Sequence, residues 1–175
     1  MKIRSATEND IPSILELHNE SIKTLTAIWT DTLENIEERI LWLHKQQEQK
    51  FPVLIAEDEG GKFLGYASYG PYRAKSGYSL TAEHSVYVSE QARGRGAGAF
   101  LLEAIIKCAR ENGFHVLVAA IDSENEVSVN LHRKFGFKVT GILPEVGYKF
   151  GRWLDLTLMT LTLNRETAPQ KKVSI

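Results

Sequence analysis

The chain has 175 residues, 43% hydrophobic and 25% charged, which is enough apolar material for one globular core. Its 21 basic and 22 acidic residues leave a formal charge of −1, which excludes a global attraction to nucleic acid or an anionic membrane. A lone cysteine, Cys108, excludes an internal disulfide and a cysteine-based metal cluster, and no run approaches the ~18 apolar residues of a membrane span.

"MKIRSATEND" lacks the apolar stretch of a secretory leader, so a soluble cytoplasmic protein without a bound metal is expected. "KIRSA" alternates and reads as a first strand. Thr7 and Asn9 are cap residues, and Pro12 suits the first turn of a helix that carries Ile11, Ile14, Leu15, His18 and Ile22 on one stripe. "TLTAIWTDTL" breaks that period. A second helix over 33–49 presents Ile36, Ile40 and Leu43 and ends in "HKQQEQK", read as a solvated end. "FPVLIAEDEGGKFLGYASYGPY" is two apolar runs around a turn, the signature of a hairpin. "RAKSGYSL" is a polar loop. "TAEHSVYVS" is a strand with Glu83, Ser85 and Tyr87 on one face and His84, Val86 and Val88 on the other.

A glycine loop and a helix follow, the helix reaching about Asn112, stopped by Gly113 and burying Cys108 as an inert thiol. "HVLVAAI" is a continuous apolar strand covered on both faces. "DSENEVSVNLHRKFGF" is a short helix ended by Gly136, and "KVTGIL" and "RWLDLTLMTLTL" are two further strands. The order β-α-α-β-β-β-α-β-α-β-β predicts an α/β fold, a mixed sheet with helices on both faces, in a single domain over 1–163 followed by a flexible tail over 164–175.

The loop "QARGRGAGAFLLEAI" decides the chemistry. Glycines at a helix entrance let an anion approach main-chain N–H groups at the positive end of the helix dipole. A nucleotide P-loop needs Lys-Ser or Lys-Thr after its last glycine, which is missing here. A dinucleotide fingerprint fits Gly94, Gly96 and Ala99, but "SEQAR" separates the strand from the first glycine, and hairpin strands precede the unit. Gln91-x-x-Gly94-x-Gly96, overlapped by Arg93-x-x-Gly96-x-Gly98, resembles the acyl-CoA pyrophosphate loop of the GCN5-related N-acetyltransferases. "NEVSVNLHRKFGF" resembles the second hallmark of that superfamily, an asparagine followed by a short helix and a Gly-Phe strand start. "TAEHSVYVS", "HVLVAAIDSEN" and "EVGYKFGRWLDLTLM" are similar to the phosphinothricin / methionine sulfoximine acetyltransferases within it.

The resemblance spans roughly residues 3–163 and implies a mostly antiparallel central sheet and a homodimer. It implies transfer of acetyl from the cosubstrate acetyl-CoA to the α-amine of a small amino acid analogue, such as phosphinothricin, methionine sulfoximine or methionine sulfone, in a ternary complex. It makes Glu83 the general base and sets His132 where many members carry a tyrosine acid, either as acid for the leaving thiolate or as a packing or CoA contact. Val86, Tyr87 and Val88 would pair with the pantetheine arm by main-chain bonding, with the Val88 N–H polarising the thioester. Gly94, Gly96, Ala97, Gly98 and Ala99 would take the pyrophosphate, with Arg93 and Arg95 as charge partners and Asn125 as a second CoA contact or a helix cap. Arg73, Lys75, Ser76, Gly77, Tyr78 and Lys149 would line the acceptor site, since cationic forks match a carboxylate or phosphinate. Arg152, Trp29 and Trp153 are further candidates there, the two tryptophans better suited to core or interface packing. Two other readings stay open: an acetyltransferase of the superfamily with another amine acceptor, and a non-catalytic acyl-CoA- or dinucleotide-binding module.

Overall fold

The computed structural model describes residues 1–164. In chain order the elements are β1 (Lys2–Ser5), α1 (Ile11–Thr24), α2 (Ile36–Glu48), β2 (Val53–Glu57), β3 (Phe63–Pro71), β4 (Thr81–Val88), α3 (Ala97–Glu111), β5 (Val116–Asp122), α4 (Glu126–Lys134), β6 (Lys138–Lys149) and β7 (Arg152–Thr162). This is the expected order. The sheet runs β1-β2-β3-β4-β5-β7-β6. The chain divides into two compact units, Met1–Tyr69 with Ser85–Ile105, and Gly70–His84 with the described residues from Ile106 onward. From residue 165, the expected tail lies outside the described residues.

In the first unit β1 and β3 flank β2 antiparallel, with Ile3 opposite Ala56 and Ile55 opposite Tyr66. Helix entry is set by short polar side chains. The Thr7 N–H and hydroxyl donate to Asp10 Oδ2 at 2.8 and 3.0 Å, and Arg4 grips the same carboxylate at 2.6 and 2.7 Å. Pro12 follows in the first turn of α1, where a missing N–H costs nothing. Ile11, Ile14 and Leu17 of α1 pack with Leu43, Val53, Ile55 and Tyr66. Leu17, rather than the expected Leu15, is the buried leucine of the stripe.

Helix α2 corrects the sequence reading twice. Asn35 and Glu38 form a reciprocal capping box, at 2.9 and 2.8 Å, and Ile36, expected on the core face, is exposed. Arg39 and Gln46 are buried instead. Gln46 Nε2 donates to the Tyr69 carbonyl at 3.0 Å, so "HKQQEQK" is not a wholly solvated end. Arg39, only 3% exposed, pairs with Glu34 and lies 4.6 Å from the Trp42 ring. Glu34 also faces His18 Nε2 at 3.2 Å, and His18 Nδ1 meets the Tyr66 hydroxyl at 3.1 Å. Burial first, and then the Arg39 charge, push His18 down to about 4.

In the second unit β4 meets β5 in parallel over three pairs, Thr81–Val116, Ala82–Leu117 and Glu83–Val118. β5 then runs antiparallel to β7, and β7 to β6. Strand β6 continues past the expected "KVTGIL" to Lys149. It absorbs Pro144 through a register shift between Leu143 and Gly147, where the Glu145 N–H donates to Asp155 Oδ1 at 2.8 Å. Phe150 and Gly151 turn the β6–β7 hairpin with φ of 50° and 74°, the positive pair of a type I′ turn. The hairpin leaves Ile142, Leu143, Val146, Tyr148, Phe150 and Trp153 exposed at 43–64%. Cys108 on α3 is half-buried rather than buried, with its thiol pushed up first by burial. No helix among the described residues is long and apolar enough to cross a membrane.

Gly65 is the tightest backbone approach of the first unit. A Cβ there would overlap the Tyr87 carbonyl oxygen and sit 3.0 Å from Val88 Cα. Backbone cannot swing aside as a flexible side chain can, so Gly65→Ala is expected to destabilise the protein by ~1–3 kcal/mol, the usual cost of overpacking. Urea unfolding measures it as a lowered midpoint at unchanged slope.

Candidate active site

Strand β4 presents the central residues. Alternation sets Glu83 and His84 on opposite faces, as the sequence predicted, with Ala82 and His84 buried and Glu83 turned outward. Although its side chain is exposed, Glu83 sits where desolvation raises its pKa above the usual carboxylate value, and the nearby Arg73 charge opposes that rise. Arg73 is held by aromatic rings, its Cζ 5.1 Å from the Tyr72 centroid and 5.8 Å from that of Tyr78. Those two rings meet edge to face at 5.7 Å. Tyr72 was not singled out from the sequence; its place directly before Arg73 was the available signal. Lys75 precedes a 3₁₀ turn over Ser76–Tyr78, closed by Tyr78 N–H donating to the Lys75 carbonyl at 2.9 Å. Lys75, Ser76, Gly77 and Tyr78 are exposed beside the Arg73 cluster in the chain.

The remaining second-unit candidates sit differently. Lys149 is buried, its ammonium 4.7 Å from the Phe150 ring at the end of β6. Arg152 pairs with Glu124, and Trp153 packs edge to face on Tyr148 at 5.7 Å on the exposed hairpin. Asn125 caps α4, its Oδ1 accepting from Ser128 N–H at 3.1 Å. His132 is buried on α4 with both ring nitrogens engaged, Nδ1 2.7 Å from the Ser128 carbonyl and Nε2 3.0 Å from His84 Nε2. Nothing in the sequence pairs these histidines, which lie 48 residues apart.

In the first unit β4 continues through Val86, Tyr87 and Val88, all half-buried. The Tyr87 ring lies 5.0 Å from Tyr66 and 6.1 Å from His18. After a 3₁₀ turn over Glu90–Ala92 the chain passes Arg93, Gly94, Arg95 and Gly96, all exposed. Gly94 and Gly96 take φ of 72° and 86°, which favours glycine. Helix α3 begins at Ala97, and its early bond runs from Phe100 N–H to the Gly96 carbonyl at 3.0 Å. Ala97, Gly98 and Ala99 thus form its first turn, where amides lack intrahelical acceptors and suit an anion. Trp29 anchors the α1–α2 connection by donating Nε1–H to the Thr26 carbonyl at 2.7 Å.

Residues 3–158 match the family described as "Acetyltransferase (GNAT) domain". The L-methionine sulfoximine/L-methionine sulfone acetyltransferase of Pseudomonas paraeruginosa is 48% identical over 162 residues, 93% of this chain and 94% of that protein. The phosphinothricin N-acetyltransferase of Alcaligenes faecalis is 36% identical over 93% of this chain and 82% of its own. Among solved structures, yncA of Salmonella typhimurium, described with its cofactor acetyl-CoA, superposes with a TM-score of 0.94 at 44% identity, covering 97% of this chain and 98% of that one. The glycine loop, the capped Asn125 helix and the β4 glutamate stand in a chain that belongs to the GNAT acetyltransferase family, an acetyl-CoA-dependent N-acetyltransferase.

Proposed function

We propose that this acetyltransferase acts on the α-amine of a small amino acid analogue bearing a tetrahedral, oxygen-rich side-chain centre: methionine sulfoximine, methionine sulfone or phosphinothricin. The observation that carries the reading is Glu83, a carboxylate of raised pKa one cluster away from an aromatic-held arginine, in a chain whose relatives are named for those substrates.

Acetyl-CoA supplies an activated acetyl thioester. The first turn of α3 and the positive-φ glycines Gly94 and Gly96 suit its pyrophosphate, because bare backbone amides at a helix N-terminus accept an anion closely, and Arg93 and Arg95 add charge. Val86–Val88 hold the pantetheine arm as an added strand, with the Val88 N–H on the thioester oxygen. Asn125 contributes its amide beyond its capping bond. Glu83 takes the proton from the acceptor ammonium, directly or through water, and His132 supplies positive or acidic character for the departing sulfur. Arg73, with Lys75, Ser76, Gly77 and Tyr78, receives the carboxylate and side-chain oxygens, and Lys149 joins them from the hairpin. Holding both substrates together is itself worth ~7–11 kcal/mol of the barrier, so no covalent enzyme intermediate is needed. The protein works as a cytoplasmic homodimer, with the apolar β6–β7 hairpin as its contact surface.

Five outcomes are expected. In Glu83→Gln, kcat falls ~10²–10⁴-fold with little change in acetyl-CoA affinity. The base must be ionised, so wild-type kcat is lost as pH falls through the raised Glu83 pKa. Arg73→Ala removes the opposing charge and moves that acid limb to higher pH. Near-wild-type turnover of Glu83→Gln at neutral pH excludes it as base. In a thiol-release assay at equal concentrations, methionine sulfone, methionine sulfoximine and phosphinothricin outperform methionine, which leaves polar donors unpaired. Equal rates with methionine, or a better polyamine, defeat the acceptor assignment. Finally, Trp153→Glu shifts sedimentation from dimer to monomer, because an ionised carboxylate cannot be buried unpaired in an apolar contact.

A further inference from the structure

His84 and His132 lie ring against ring in the second unit, centroids 5.2 Å apart, and both rings touch Phe137. They are 6% and 5% exposed. Three contacts define their protons. His84 Nδ1 lies 2.8 Å from the Val118 carbonyl, His132 Nδ1 lies 2.7 Å from the Ser128 carbonyl, and the two Nε2 atoms are 3.0 Å apart. A carbonyl oxygen only accepts, so each Nδ1 must carry a hydrogen. A neutral imidazole has one N–H. Two neutral rings therefore bring two protons to three contacts, and their bare Nε2 lone pairs would face each other out of water. A third proton turns that contact into a hydrogen bond.

We infer that His84 and His132 share one proton between their Nε2 atoms as a buried monocation, and that His84 is thereby a positioning residue that keeps His132 oriented and charged for acetyl transfer. Burial opposes charge on either ring, so the shared hydrogen bond has to offset that cost, and it can do so for one proton only. Burial lowers the pKa of both rings, and His84 is pushed down to about 3, by desolvation first and by the His132 charge second. A second proton is thus refused, while loss of the first would leave two acceptors opposed. β5 offers the Val118 carbonyl, α4 offers Ser128, with its hydroxyl 3.5 Å from His132 Nδ1, and Phe137 closes the pair. Among the described residues no carboxylate hydrogen-bonds to either ring, and Glu83, the next residue on β4, faces the other way. A positive charge held on His132 suits the negative charge that develops on the departing sulfur in the transfer step. The protonation follows from the contacts alone; the positioning role rests on the acetyl-transfer reading.

The full chain labelled with ¹⁵N in its histidine rings tests the protonation directly at neutral pH. Both Nδ1 atoms should carry hydrogen and the two Nε2 atoms should divide one. Two neutral rings, or two charged ones, would overturn the shared proton. In His132→Tyr a phenol donates to His84 Nε2, so the remaining histidine should read as neutral, protonated at Nδ1 only; a charged ring there counts equally against the inference. Kinetics tests the role. In His84→Leu, kcat should fall ~10²-fold at little-changed KM for acetyl-CoA. The alkaline limb of kcat should move to lower pH, since burial alone then acts on His132. His84→Gln, whose amide donates to a neutral His132, should keep KM but lose the charge-dependent limb; it also serves if His84→Leu does not fold. Wild-type kcat with an unmoved limb would overturn the positioning role even where the nitrogen signals show the shared proton. If the wild type releases no thiol with any amine, the acetyl-transfer reading fails and takes the role with it, while the nitrogen signals still decide the pair.

Discussion

Main-chain pairing along β4 sends successive side chains to opposite faces, and the strand has no freedom to do otherwise once Ala82 and His84 are buried. A one-residue slip would bury a carboxylate and expose two core groups. The three register pairs with β5, from Thr81–Val116 to Glu83–Val118, pin that choice, and His84 adds a side-chain bond to the same neighbouring strand at Val118. In the first unit the strand's later residues are indexed just as tightly, because Gly65 lets β3 pass against the Tyr87 carbonyl. Glu83, the main chain of Val86–Val88 and the approach to the glycine loop therefore share one strand and one register.

Both units place polar side chains inside and set them against one another, though among the described residues Arg39 Nε finds no hydrogen-bond partner. In the first, Glu34 answers His18 and Arg39, while Tyr66 answers the other nitrogen of His18. In the second, two histidines answer each other and two carbonyls. Away from water such groups are costly when unpaired and directional when paired, so they select one packing among several that apolar contacts alone would tolerate. In the first unit, burial holds His18 neutral; in the second, the contacts of the histidine pair call for one charge. The difference lies in the partners, since a phenol hydroxyl can donate to a neutral ring and a carbonyl cannot.

The local chemistry of the sequence was legible wherever a short-range rule governs it. Element order, the hairpin over β2 and β3, the start of α1 at Thr7–Pro12, the stop at Gly136 and the glycine loop were all readable because caps, turns and positive-φ glycines act over a few residues. That Glu83 and His84 lie on opposite faces of β4 followed from period-two alternation. The failures were long-range. Helix α2 has a weak apolar stripe, so nothing local announces that Arg39 and Gln46 go inside while Ile36 stays out; Glu34 and the Tyr69 carbonyl decide it. The expected strand stops at Leu143, and only the bulge answered by Asp155 carries it on to Lys149. The histidine pair joins a strand to a helix across 48 residues, beyond the reach of any periodicity.

The parallel ladder between β4 and β5 also has a bearing on how the chain folds. Thr81 must find Val116 across the intervening glycine loop and α3, whereas Lys149 and Arg152 of the β6–β7 hairpin meet across a two-residue turn. Loop closure taxes the first contact far more than the second, and contacts distant in sequence form slowly. The hairpin can assemble on its own, early and cheaply. The strand that carries Glu83 reaches its parallel neighbour only by closing that longer loop, so mutations in the crossover helix α3 should register in the folding rate of the protein.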